Sequence, residues 1–157
     1  MVSVETIRLA CSLITLMWLA RIENKTKQTV LCTDCIIADG FVARTIGLMG
    51  RSYFPDGAGL LLLPAKGGIH TFFMKFPIDA AYLDTDLTVV AVKESLPPWK
   101  LWLPRSPSAF AVLEVPSGTL ARTQTTAGDL LRVTLIRWIR RFLPPPAGLL
   151  PRLQGQG

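Results

Sequence analysis

The chain contains one histidine, His70, and two carboxylates, Asp79 and Asp84, follow it closely. A histidine oriented by a carboxylate is the minimum equipment for general acid–base chemistry, because its ordinary pKa lets it give and take a proton near neutral pH. A covalent mechanism also needs an activated nucleophile, and Ser52, Ser117 and Cys32 lie in no Gly-x-Ser-x-Gly context. The plainer reading of His70 is a residue hydrogen-bonded within a half-buried strand.

Cys32 and Cys35 have the spacing of half a zinc site or of a redox pair. A structural zinc takes four ligands, and only Cys11 and His70 could supply the rest. A redox motif of this spacing opens a helix in an α/β unit, whereas here it sits between short apolar runs. Two small buried residues are the simpler expectation, and no cofactor is expected. The odd count of three cysteines gives no disulfide framework, so the core must hold itself together. Asp79, Asp84 and Asp86 do not match the calcium-loop spacing.

Arg44, Arg51, Lys75 and Glu114 are charges set in apolar surroundings. Such a charge must sit at an edge, be paired, or face a ligand. Pairing of Arg44 with Glu114 is one expectation. The other is a cleft for a carboxylate, phosphate or sugar, lined by Arg44, Arg51, His70, Met74, Lys75 and Glu114. Gly67 and Gly68 would let backbone approach closely just before His70. Asn24-Lys25-Thr26 matches the pattern of a glycosylation acceptor.

Short β-strands must position these residues. Apolar runs at 29–32, 36–38, 59–63, 78–83, 87–92, 110–115, 119–122 and 130–135 are bounded by turn signals such as Asp56-Gly57, Asp84-Thr85-Asp86, Pro116-Ser117-Gly118 and Gly128-Asp129. Residues 69–76 alternate with period two and predict a further strand, bent at Pro77. One helix is expected over about 41–49, stopped by Gly50. Residues 95–108 hold four prolines with Trp99 and Trp102, and read as a long loop of the kind that often carries function. Many short strands with one helix indicate a mainly β domain, a β-sandwich of jelly-roll kind or a barrel.

The ends differ from this body. Residues 9–20 are apolar apart from Ser12 and Thr15, too short for an ordinary transmembrane helix and of signal-peptide length. The open readings are a signal, an anchor, a packed helix, or a start at Met17. On a helical projection, residues 135–143 set Leu135, Ile136, Trp138, Ile139, Phe142 and Leu143 against Arg137, Arg140 and Arg141. This predicts an amphipathic helix lying on a membrane surface or docked on the body, stopped at Pro144. The division is then an apolar extension at 1–28, a β-rich domain at 29–133, and a basic segment with a Pro/Gly-rich tail at 134–157.

Half of the 157 residues are hydrophobic and 18% are charged, which excludes bulk disorder. The net charge is +6, but four of those charges (Arg137, Arg140, Arg141, Arg152) lie beyond Thr134, leaving two on the body. A nucleic-acid-binding domain would carry its charge over the folded surface, so that class of partner is not expected.

Three pieces in order then resemble one prokaryotic family, domain of unknown function 192. They are Ala43-Arg44-Thr45 leading to Gly47-Leu48-Met49-Gly50-Arg51, the run from Ile69 to Asp79 with Leu83-Asp84 after it, and Val112 to Thr119 followed by Gly128-Asp129. The resemblance covers about 29–133 and implies a small, mainly β domain. It carries no established activity, so no catalytic residue transfers.

The expected function is that of a non-catalytic binding or accessory domain with a cleft for an anionic or polar small molecule. One alternative is a small hydrolase or isomerase using His70 with Asp79 or Asp84. The other is an accessory protein held on a membrane surface through 9–20 and 135–143. The partner is then an unidentified small molecule or protein, in a cytoplasmic setting with membrane association open and export less favoured.

Overall fold

Two segments, Ile78–Leu83 and Ala111–Pro116, are buried at every residue. Strands so covered on both faces lie inside a sheet rather than at its edge. The computed structural model describes residues 16–38, 48–65 and 67–140. Its strands are β1 (Leu16–Asn24), β2 (Thr29–Ala38), β3 (Ala58–Leu62), β4 (Ile69–His70), β5 (Ile78–Leu83), β6 (Val89–Leu96), β7 (Leu101–Trp102), β8 (Ala111–Pro116) and β9 (Leu131–Arg140), with one short helix, α1 (Thr119–Thr123), between β8 and β9.

Seven strands form one mixed sheet in the order β6-β5-β8-β3-β2-β1-β9, and β4 and β7 form a separate two-stranded sheet. All pairs are antiparallel except β2 with β3. The large sheet stays open. Its two edges meet only at one end, where Thr88 bridges Leu130 and Val89 N donates to Asp129 O at 2.8 Å. The fold is mainly β, as expected, without closure into a barrel.

Alternation along the strands separates two cores. One face carries Ile22, Leu31, Leu61, Leu83, Leu113 and Val133, and α1 adds Leu120 to it. The other carries Leu60, Ile78, Ala80, Tyr82, Leu96 and Val112, roofed by Ile69, Met74 and Trp102 from β4, β7 and their connections.

β2 breaks this parity with a bulge. Cys32 pairs with Ile22 and Cys35 with Ala20, so Thr33 and Asp34 together oppose Arg21. Both of their amides donate to Gly57 O, at 2.9 and 3.0 Å. The extra residue turns both thiols into the same core. They close over Gly59, where a Cβ would lie 2.6 Å from Cys32 Sγ and 3.2 Å from Cys35 Sγ. Gly59→Ala is therefore expected to cost about 2 kcal/mol by overpacking, read as a lower urea midpoint. Gly59→Ala with Cys32→Ala should recover part of that loss, and a single variant within about 0.5 kcal/mol of the parent would contradict the contact.

Several local expectations change. Residues 135–140, expected within an amphipathic helix, belong to strand β9, which pairs with β1 from Leu131 opposite Asn24 to Arg140 opposite Leu16. From 16 onward the apolar N-terminal run is β1, the neighbour of β2 and β9. Residues 119–122, expected as a strand, wind into α1, because Gly118, just before it, turns the chain with φ 89° and Asp79 takes up the Leu120 amide. Of the strand expected at 69–76 only Ile69–His70 forms. The helix expected at 41–49 lies outside the described residues up to position 47, and 48–50 form a turn. Asn24 is fully buried, and its Nδ2 donates to Thr125 Oγ1 and Asp129 Oδ2. The folded chain therefore does not present this amide to a glycosylating enzyme.

Candidate functional site

Thr71, buried and just past β4, clamps two turns together. Its amide donates to Lys100 O at 2.9 Å. Its hydroxyl donates to Pro97 O at 2.6 Å and accepts from Lys100 N at 3.0 Å. Its carbonyl accepts from Trp99 N at 3.0 Å and Met74 N at 3.3 Å. The β4–β7 pair continues the clamp through His70 opposite Leu101 and Ile69 opposite Trp102. Gly68 permits this approach, since a Cβ there would fall 2.8 Å from Trp102 O.

The clamp displays aromatic rings. Phe73 and Trp99 both have φ 62°, in the left-handed region that bulky side chains avoid. Their rings meet edge-on at 4.7 Å, yet Phe73 stays 57% exposed and Trp99 58%. Phe72 lies 6.1 Å from Trp99 and stacks on His70 at 5.0 Å. Exposed Leu101 and Leu103 extend the apolar surface. They border an open groove of about 680 Å³ lined also by Ala91, Trp102, Pro104 and Arg105.

The formal charges within the two ring-bearing segments have one sign. Lys75, Lys100 and Arg105 are exposed, and residues 67–78 and 95–108 contain no Asp or Glu. None of these three cations forms an ion pair among the described residues.

Beneath the roof lie two polar groups with few partners. Among the described residues Tyr82 Oη, which is buried, has no hydrogen-bond partner, while Trp102 packs on the Tyr82 ring at 4.8 Å. Glu114 is 5% exposed on the same sheet face. Burial pushes its carboxyl up to about 8. Burial first, and the nearby Glu114 second, push the Tyr82 phenol above its ordinary value.

The residues singled out by sequence do not assemble into one catalytic set. Asp79 is fully buried and accepts from Ser95 N at 2.8 Å and Leu120 N at 2.9 Å. Asp84 caps its own turn, accepting from Asp86 N and Thr88 N at 2.9 Å. Among the described residues neither carboxylate bonds to His70, whose Nδ1 is buried without a partner. Met74 is buried as part of the roof, Lys75 is exposed and Arg51 is half-buried. Arg44 lies outside the described residues.

Cys32 and Cys35 are buried free thiols. Burial foremost, then the neighbouring Cys32, raises the Cys35 thiol well above its ordinary value. That disfavours the thiolate on which redox or metal chemistry depends. Among the described residues no three His, Cys, Asp or Glu side chains converge for a metal, and no helix is long and apolar enough to cross a membrane.

Sequence reasoning passed over Phe72, Phe73 and Trp99. Strict alternation at 69–76 assigned Phe72 and Phe73 to opposite faces of a strand. The proline-rich stretch holding Trp99 was the available signal.

Residues 22–133 match the family model DUF192, described as "Uncharacterized ACR". A UPF0127 protein of Pyrococcus horikoshii is 31% identical over 115 residues, covering 71% of this chain and 96% of that protein. A UPF0127 protein of Pyrococcus abyssi is 36% identical over 112 residues, covering 69% of this chain and 92% of the other. The crystal structure of a protein of unknown function from Novosphingobium aromaticivorans superposes with a TM-score of 0.64 at 22% identity, over 74% of this chain and 84% of that one. This last likeness concerns the fold alone.

Proposed function

The chain belongs to DUF192, a family described as uncharacterized, and we propose that within it this chain is a non-catalytic binding domain whose working face is the aromatic platform. The carrying observation is that Phe73 and Trp99 are held in left-handed backbone and left in solvent. A side chain forced into that region costs about 1–2 kcal/mol, and two exposed rings recover little of it by burial. Residues kept against the stability of the fold mark a surface kept for contact. The commitment of Asp79 and Asp84 to backbone amides supports the non-catalytic half of the reading.

The test needs no knowledge of the partner. Phe73→Asn with Trp99→Asn removes both rings while asparagine tolerates the left-handed backbone. Urea unfolding should find the double variant within about 1 kcal/mol of the parent, or more stable. If the rings served the core, the loss would be about 3 kcal/mol or more for each, and that result would remove the proposal.

A further inference from the structure

We infer that the partner of this face is an anionic lipid surface; the inference rests on the binding-domain reading above. The apolar groups stand at the tips of two adjacent turns, so they can enter a layer without rearrangement of the fold. Phe72, Phe73 and Trp99 supply flat rings of the kind that settle at the headgroup level of a bilayer. Lys100 follows Trp99, Lys75 lies two residues past Phe73, and Arg105 two residues past Leu103. Long cationic side chains reach headgroup phosphates while their stems remain in the apolar boundary.

Charge decides among occupants. Neither 67–78 nor 95–108 contains an acid, so the attraction of Lys75, Lys100 and Arg105 to anionic headgroups adds to ring insertion. A second copy bound through the same face would bring Lys75, Lys100 and Arg105 toward their own equivalents, since a two-fold interface sets like patches together. Nucleic acid would require cations spread along a backbone track, whereas the exposed Lys75, Lys100 and Arg105 lie in the two short segments that carry the rings. The face is also separate from β9, which carries Arg132 and Arg137 on the opposite edge of the large sheet from β6.

The full chain should co-sediment with vesicles containing about one third phosphatidylglycerol in phosphatidylcholine and much less with pure phosphatidylcholine. Each cation near such a surface contributes roughly fivefold. The K75Q/K100Q/R105Q chain should therefore bind about 100-fold more weakly. The F72A/F73A/W99A chain, checked for folding by circular dichroism, should lose more than about tenfold through the lost apolar area.

Two results would overturn the inference. If the parent fails to bind the anionic vesicles while the F73N/W99N chain keeps its stability, the binding face stands and an acidic protein becomes its partner class. If F72A/F73A/W99A binds as the parent does, the C-terminal arginines carry the interaction and the platform is no lipid site. A large stability loss in F73N/W99N would instead remove the binding-domain reading itself, whatever the vesicles show.

Discussion

Asp79→Ala should lower the unfolding free energy by about 4 kcal/mol, measured as a fall in urea midpoint at unchanged slope. The carboxylate is fully buried on β5. One oxygen accepts from Ser95 N at 2.8 Å, at the end of β6, and the other from Leu120 N at 2.9 Å, in the first turn of α1. Its removal leaves two amides without acceptors, the Leu120 amide buried and the Ser95 amide part-buried, and a buried one costs about 1–3 kcal/mol. Ser95 compounds the loss, because its φ of 48° is a left-handed conformation that the Asp79 bond helps to hold. Asp79→Asn keeps one acceptor oxygen and should lose about half as much. A loss below about 1 kcal/mol for Asp79→Ala would mean that water or local rearrangement replaces both contacts. The effect also bears on the platform, since Ser95 leads directly into the turn that carries Trp99.

Asp79 illustrates where sequence reading succeeds and stops. Its strand was legible to the residue at 78–83, and β3 and β8 to within a residue, because long apolar runs between turn signals leave few alternatives. Its role was not legible, since both partners lie far along the chain, at 95 and 120. The same distance hid β1 and the part of β9 beyond 135, β9 being legible as a strand only at 130–135. Leu135, Ile136, Trp138 and Ile139 satisfy a helical stripe as well as a strand, and the choice was made by pairing with residues 16–20. The bulge at Thr33 and Asp34 was invisible because it is set by a backbone acceptor on Gly57. Of the candidate site, Glu114 was legible as a charge in apolar surroundings, whereas 95–108, expected as one long loop, takes in the end of β6 and the whole of β7. The rings of Phe72 and Phe73 were misassigned because a period-two pattern was extended through a four-residue turn that Thr71 imposes.

Glu114 should make the fold lose stability as the solution becomes alkaline, opposite to the usual behaviour of a paired carboxylate. Burial lifts its carboxyl from the ordinary 4.5 to about 8. Between those values the unfolded chain has released the proton and the folded chain still holds it, so the folded state binds more protons and its stability falls with rising pH. The contribution is whole below pH 4.5 and gone above pH 8, a swing of about 5 kcal/mol at 1.36 kcal/mol per pKa unit. Asp129 acts in the other direction at the acid end. Burial works to raise its pKa, but bonds from Thr126 and Asn24 and the charge of Lys27 outweigh it and leave the pKa lowered, so its stabilisation is lost only as pH falls through that depressed value. Glu114→Gln keeps the shape of the neutral acid and removes its titration. Urea unfolding at pH 5.5, 6.5, 7.5 and 8.5 should then give diverging curves, with the parent weakening and the variant nearly flat across that window. Parallel curves for the two chains would mean that Glu114 is already ionised in the fold. A neutral Glu114 at pH 7 also adds no negative charge beneath the roof that bears Lys100 and Arg105, so the same measurement tests whether the cations of the platform act without an opposing carboxylate below them.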